Sequence, residues 1–333
     1  LITKNEEDRV EACLKSVVDI ADEIIAQTPD MVLIYAGHNE FLGIMGASSN
    51  FTTSSSFWLT RVMLSLKDLR LYQLFQWLFS ELQNNSDTSS NNKNNAPQPS
   101  RTTMMSKVAA NQSIAYNSKL YQAGLYQFST NMSDLLAKYE AANIPVFIAS
   151  IASNHKDQPP LKSSDVEPEF LSITETLAAK STQLSDQELA NISTTLEKSQ
   201  SALLHYELGL LFNSRLQTAF AAKHYELAIA HDLLKFRAPQ AINVIIETLA
   251  KQHNATFVDT EAFFKQRSPG GIVGNNLMLE HLHPNLRGYY VISESFYHNI
   301  KEANLVRPWK NIYINQAWQQ RLVLPSEEYF GFA

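Results

Sequence analysis

The segment Met31–Phe41, MVLIYAGHNEF, constrains the fold more than any other part of this chain. Met31–Ala36 is an unbroken run of apolar and β-favouring residues, the pattern of a strand buried on both faces. Pro29-Asp30 punctuates it before and Gly37 ends it, and a polar cluster of His38, Asn39 and Glu40 follows at once. Ligands of open α/β sheets bind just outside the carboxyl ends of the strands. A glycine followed by an amide and a carboxylate at such an end therefore reads as the edge of an active site. The plainer alternative is a strand that stops at a polar surface turn.

The rest of the chain supplies the helices that a parallel sheet needs. Residues 5–25 carry Val10, Cys13, Leu14, Val17, Val18, Ala21, Ile24 and Ile25 at amphipathic helical spacing, with Glu6, Glu7 and Asp8 in the first turn. With Leu1-Ile2-Thr3 as the tail of a strand, strand end, helix and strand in that order make a βα unit. After the GHNE cluster, Gly43–Ser56 reads as a loop and Phe57–Leu82 as a strongly apolar helix packed on the domain. That helix has lid and membrane-surface readings as alternatives. Gln83–Ser100 is polar and of low complexity, hence a disordered insertion. Helical periodicity returns over Tyr116–Ala142, followed by a second buried strand, Val146–Ile151, that ends in the polar run Ser153–Asp157. Leu171–Ala230 is almost wholly helical, and Ala202–Ala230 resembles one tetratricopeptide unit, which must pack on the main domain to bury its face. A helix at Ala238–Lys251, a third strand at Ala255–Asp259, a flexible hinge at Gly270-Gly271 and a final helix at Tyr290–Ala303 complete the pattern.

Composition narrows the function classes. The net charge of −6 over 333 residues gives no electrostatic footprint for nucleic acid. The single cysteine forms no intramolecular disulfide, and no Cys/His spacing suggests a zinc site. No run approaches the ~18 apolar residues of a bilayer span. Because the chain opens on Leu1, the expectation is a truncated or chimeric product. Membrane association, or an extracytoplasmic location, would then depend on an N-terminal anchor or signal outside this chain.

A second constellation lies at Met278–Tyr289, MLEHLHPNLRGY. Here a turn presents His283, and Glu280 stands three residues before it. A carboxylate at that spacing can reach back and hold the imidazole in one tautomer, as catalytic His–carboxylate pairs require.

Taken together, PDMVLIYAGHNEF, NIPVFIASIASNHKDQPP and LEHLHPNLRGYY resemble the third block, an intervening segment and the fifth block of the SGNH (GDSL-type) hydrolases. The likeness is to the larger members with a tetratricopeptide-like insertion, and it spans about residues 28–306. The resemblance implies an α/β fold, a three-layer doubly wound parallel sheet of flavodoxin-like type with an inserted helical hairpin and possible loss of N-terminal strands. Its parts are residues 26–160 (with the 83–100 insertion) and 237–306 as the two α/β portions, 161–236 as the helical insertion and 307–333 as a tail. It further implies hydrolysis or transfer of an acyl ester, on a small molecule, saccharide or lipid, without a cofactor or metal. His283 would be the general base, Glu280 its orienting carboxylate, Asn39 an oxyanion donor, and Gly37 the residue that lets the backbone approach.

The family's nucleophilic serine block is missing: about 30 residues precede the third block, and their one serine, Ser16, is in mid-helix. Residues 1–25 instead resemble the opening strand and helix of family-2 glycosyltransferases, without that family's aspartate-rich turn. The expectation is a hydrolase body impaired in catalysis. The alternatives are a non-catalytic binding or scaffold protein that uses the helical hairpin to hold a partner, and a glycosyltransferase fragment. Loss of upstream strands would leave Met31–Ala36 with an unpaired edge.

Overall fold

The computed structural model describes residues 17–38, 40, 41, 113–180 and 182–321. The head before residue 17, Asn39, the loop, apolar helix and low-complexity stretch between residues 43 and 100, and the tail after residue 321 lie outside the described residues.

The chain is an α/β protein built on a small parallel sheet. Strand β1 (Val32–Ile34) pairs with β2 (Val146–Ala149), and β2 pairs with β3 (Thr256–Val258), both in parallel. Parallel neighbours need crossover connections, and helices supply them. Helix α1 (Val17–Ala26) precedes β1, α2 (Lys119–Ala141) leads into β2, and α7 (Gln240–Gln252) leads into β3. Side chains alternate across β2, so Val146 and Ile148 join α1, α2 and α7 in one core. Phe147 and Ala149 face the other way, toward Val258 and Phe296 of α9 (Leu286–Ala303). Helices thus cover both faces of the sheet. Among the described residues no helix is long and apolar enough to cross a membrane.

Two readings change. The β1 strand is three residues long and is not buried on both faces: Leu33 is 48% exposed. In the described sheet β1 has β2 on one side only. The last helix starts at Leu286, four residues earlier than the periodicity indicates. Asn285 caps it by accepting the Gly288 N–H (3.1 Å), which brings Leu286–Tyr289 into the helix.

Between β2 and α7 come four helices: α3 (Leu171–Lys180), α4 (Asp186–Leu196), α5 (Ala202–Ser214) and α6 (Thr218–His231). A capping box at Ser185/Glu188 starts α4. Helices α5 and α6 form a hairpin around Leu208, Phe212, Ala221 and Tyr225, closed by Leu177, Leu189 and Leu196 of α3 and α4. The hairpin also buries His205, His224 and, with 9% exposure, His231. Their hydrogen bonds fix the tautomers. His205 Nε2–H donates to the Ser199 carbonyl (3.0 Å), so its Nδ1 accepts from His224 Nδ1–H (3.1 Å). His224 Nε2 then accepts the Ser193 hydroxyl (2.7 Å). The two links that use a ring lone pair, at His205 Nδ1 and His224 Nε2, require neutral imidazoles. After β3, α8 (Thr260–Gln266) and a 3₁₀ turn at Pro269–Gly271 lead to the loop that carries Glu280 and His283, and α10 (Ile314–Gln319) follows α9. In the turn Gly270 and Gly271 both take positive φ.

Candidate functional site

The loop before α9 is a closed, hydrogen-bonded turn. Asn285 N–H donates to the Leu277 carbonyl (3.0 Å), Leu279 N–H donates to the His283 carbonyl (2.8 Å), and Met278 bridges Pro284 in antiparallel fashion. A Cβ on Gly288 would sit 2.2 Å from the Leu277 carbonyl oxygen, so glycine is required for the helix to approach this loop.

At the tip, Glu280 folds back onto its own turn. Its Oε1 accepts the His283 backbone N–H (2.8 Å) and touches His283 Nδ1; its Oε2 accepts the His281 backbone N–H (2.9 Å) and touches His281 Nδ1. One carboxylate therefore meets two imidazoles. Because carboxylate oxygens accept, both neutral rings carry their hydrogen on Nδ1 and leave Nε2 as a lone pair. Partial burial pushes the Glu280 carboxyl up, but the His283 N–H and the two imidazoles outweigh it and hold it below the ordinary carboxylate value. Burial pushes His281 down against the pull of Glu280, with Arg237 and His283 adding to the fall. The His281 ring stands edge-on to Phe236 (5.4 Å), whereas the His283 side chain is 64% exposed. No described residue hydrogen-bonds to Nε2 of either ring.

The end of β1 faces this loop. Gly37 takes φ +146°, a backbone region that favours glycine, and a Cβ there would sit 2.9 Å from Ile242. Next to it, His38 accepts the Ala238 N–H on Nδ1 (3.3 Å) and donates Nε2–H to the Ala152 carbonyl (3.2 Å). Burial pushes its pKa down to about 4 against that Ala152 bond, and His281 and His283 push further in the same direction. His38 is a neutral strut between strand ends, with no free nitrogen for proton transfer. Burial also raises the Glu40 pKa. Asn39 lies outside the described residues.

The polar run after β2 ties these parts together. Ser150 Oγ accepts the Glu261 N–H (2.9 Å), and Asn243 of α7 pairs with both the N–H and the carbonyl of Ile151 (2.8 and 2.9 Å). Tyr35 Oη accepts the Ala152 N–H (3.2 Å). Asn154 N–H donates to the His281 carbonyl (3.0 Å), and its side-chain amide donates to Asn275 Oδ1 (2.8 Å). Buried Arg237 donates to the carbonyls of Asn154 and Gln158 (2.9 Å each) and pairs with buried Asp232 (3.3 Å). The hairpin's exit is thereby bolted to the rim.

The structure thus brings Glu280 against His283, with His38 at the end of β1 near enough to feel both imidazoles, while Gly37 packs against Ile242, Ile151 and Phe128. His281, Asn243 and Arg237 were not singled out from the sequence. A polar residue inside the apolar stripe Ile242–Ile246 is the signal that marks Asn243; nothing comparable marks Arg237. Among the described residues, no group of three or more His, Cys, Asp or Glu side chains is placed to hold a metal ion. A cleft of about 350 Å³ opens at the other end of the same loop, between Leu277, Arg287, Val291 and Trp318. It is not lined by Gly37, Glu280 or His283. Comparison with protein-family models, curated proteins and solved structures gave no match.

Proposed function

We propose that the chain is the body of an acyl-ester hydrolase or acyl transferase of SGNH type, with His283 as its general base and no serine nucleophile of its own. The observation that supports this most is the oriented imidazole. His283 has Nδ1 on a carboxylate and an open Nε2, it is exposed, and it lies near His38 at the carboxyl end of β1. In this reading His283 Nε2 takes a proton from an attacking water as its oxygen bonds to the acyl carbon. Glu280 stabilises the imidazolium that forms. The oxyanion is met by the Asn39 amide and the backbone beside Gly37, a contribution of roughly 3–4 kcal/mol in other acyl-transfer sites. Collapse breaks the ester C–O bond, and the proton on Nε2 passes to the departing alkoxide. The helical hairpin is the tetratricopeptide-like insertion of this reading, and the three described strands are part of a larger doubly wound sheet.

Purified protein should hydrolyse p-nitrophenyl acetate slowly but above the buffer rate, and His283→Ala should return the rate to buffer level. A rate unchanged in His283→Ala would overturn the proposal. A second reading, a non-catalytic binding or scaffold protein, is favoured by one observation: no described hydroxyl or thiol bonds to His283 Nε2. Binding of an acylated saccharide without any His283-dependent turnover would select it. The third reading, a glycosyltransferase fragment, rests on the head resemblance and would require metal-dependent binding of a sugar nucleotide.

A further inference from the structure

Glu280 is shared. Its two oxygens meet four N–H groups, the backbone and Nδ1 of both His281 and His283, so each oxygen is fully occupied by one histidine. His281 is the better-anchored of the two. Its carbonyl accepts the Asn154 N–H, its ring packs edge-on to Phe236, and its side chain is 23% exposed against 64% for His283. The buried scaffold is therefore connected to the exposed imidazole through His281 and then through the carboxylate.

We propose that His281 is the positioning residue of this site: it clamps Glu280 Oε2, so that Oε1 is held for His283 and the exposed imidazole is kept in its Nδ1–H form. Its catalytic consequence rests on the ester-hydrolase reading; its structural content does not. Without the His281 ring, Oε2 keeps only the His281 backbone N–H, the carboxylate is held less firmly, and the solvent-exposed His283 is free to take the other tautomer. The charged and titratable groups facing the pair are Glu280 on its own loop, His38 from the end of β1, and Arg237 from the segment between α6 and α7. Arg237 is buried and held by Asp232, so it is a constant positive field, and burial keeps His38 neutral.

Nitrogen-15 NMR of the histidine rings tests this on the whole protein. In the wild type His283 should be the Nδ1–H tautomer. His281→Phe keeps a ring against Phe236 but removes the donor, and should release His283 into a mixture of tautomers. His281→Asn places an amide N–H where Nδ1 stood and should restore the Nδ1–H form. Turnover of p-nitrophenyl acetate should fall about tenfold in His281→Phe, the scale seen when a group that orients a functional ligand is removed, and recover in His281→Asn. His283 signals that are the same in wild type and His281→Phe would overturn the proposal, as would failure of His281→Asn to rescue. The two readings fail separately. A His281-dependent Nδ1–H tautomer at His283 without His283-dependent turnover removes the hydrolase reading and keeps the clamp. His283-dependent turnover indifferent to His281→Phe removes the clamp alone.

Discussion

Acidification should unfold this protein through its buried histidines, and the hairpin shows why. His224 donates from Nδ1 and accepts on Nε2, so a proton added to either ring of the His205–His224 pair sets N–H against N–H, or against the Ser193 hydroxyl. Burial, then the neighbouring His205 and Lys223, push the His224 pKa down to about 3. Burial, then His205 and Lys235, push His231 down to about 4, with Glu167 pulling the other way. His155 is likewise pushed to about 3 by burial, then Arg237 and Lys265. A histidine whose folded pKa lies below its unfolded value of about 6.5 costs nothing above that pH. Below it, stability is lost progressively until the folded pKa is reached. At pH 4.5, two units below the unfolded value, each such group costs about 2.7 kcal/mol. With His38 included, four of them approach ~10 kcal/mol, the size of a whole domain's stability. Urea unfolding followed by circular dichroism should therefore show a midpoint that is flat above about pH 7 and collapses toward pH 4.5. His224→Gln retains an acceptor for Ser193 and loses the titrating ring. It should start less stable by about 1–3 kcal/mol at neutral pH but lose about 2.7 kcal/mol less than wild type on acidification. Equal acid sensitivity in the two proteins would refute the reasoning, as would a wild-type midpoint unchanged at pH 4.5.

Two substitutions probe the frame around the site. Asn243→Leu strands the N–H and carbonyl of Ile151 at the end of the central strand, and should cost about 2–4 kcal/mol in a denaturant titration; a loss below about 0.5 kcal/mol would mean that Ile151 finds other partners. Gly37→Ala combines a positive φ with a Cβ 2.9 Å from Ile242, and should lower stability by about 1–3 kcal/mol together with any His283-dependent activity. A fully stable Gly37→Ala protein would contradict the described strand end.

What the sequence made legible, and what it did not, follows from where each signal resides. Periodicity is local, so all three strands and the order of the helices are visible in runs such as Val146–Ala149 and in stripes such as Tyr121–Phe128–Leu135. Spacing is local too: Glu280 and His283 are three residues apart, and their pairing follows from a turn alone. Burial depends on neighbours that are distant in sequence. Val32–Ile34 has the composition of a central strand, yet Leu33 is half exposed because the described sheet flanks it on one side. His38 reads as a functional polar residue beside Asn39, yet Ala152 and Ala238, over a hundred residues away, consume both ring nitrogens. His281 was overlooked for the converse reason, since only the fold-back of Glu280 reveals that one carboxylate serves two rings. The helix start at Leu286 was misplaced because Pro284-Asn285 reads equally well as a loop until the Asn285 side chain is seen capping Gly288.

The central claim is that His283 acts as a base on water, without a nucleophile from this chain. The first turnovers of p-nitrophenyl acetate, followed at high protein concentration with wild type and His283→Ala, test it most directly. The account predicts linear release of p-nitrophenol without an initial burst, at a rate that disappears in His283→Ala. A stoichiometric burst would contradict it by revealing an acyl-enzyme, and linear release that persists in His283→Ala would contradict it by removing His283 from the chemistry.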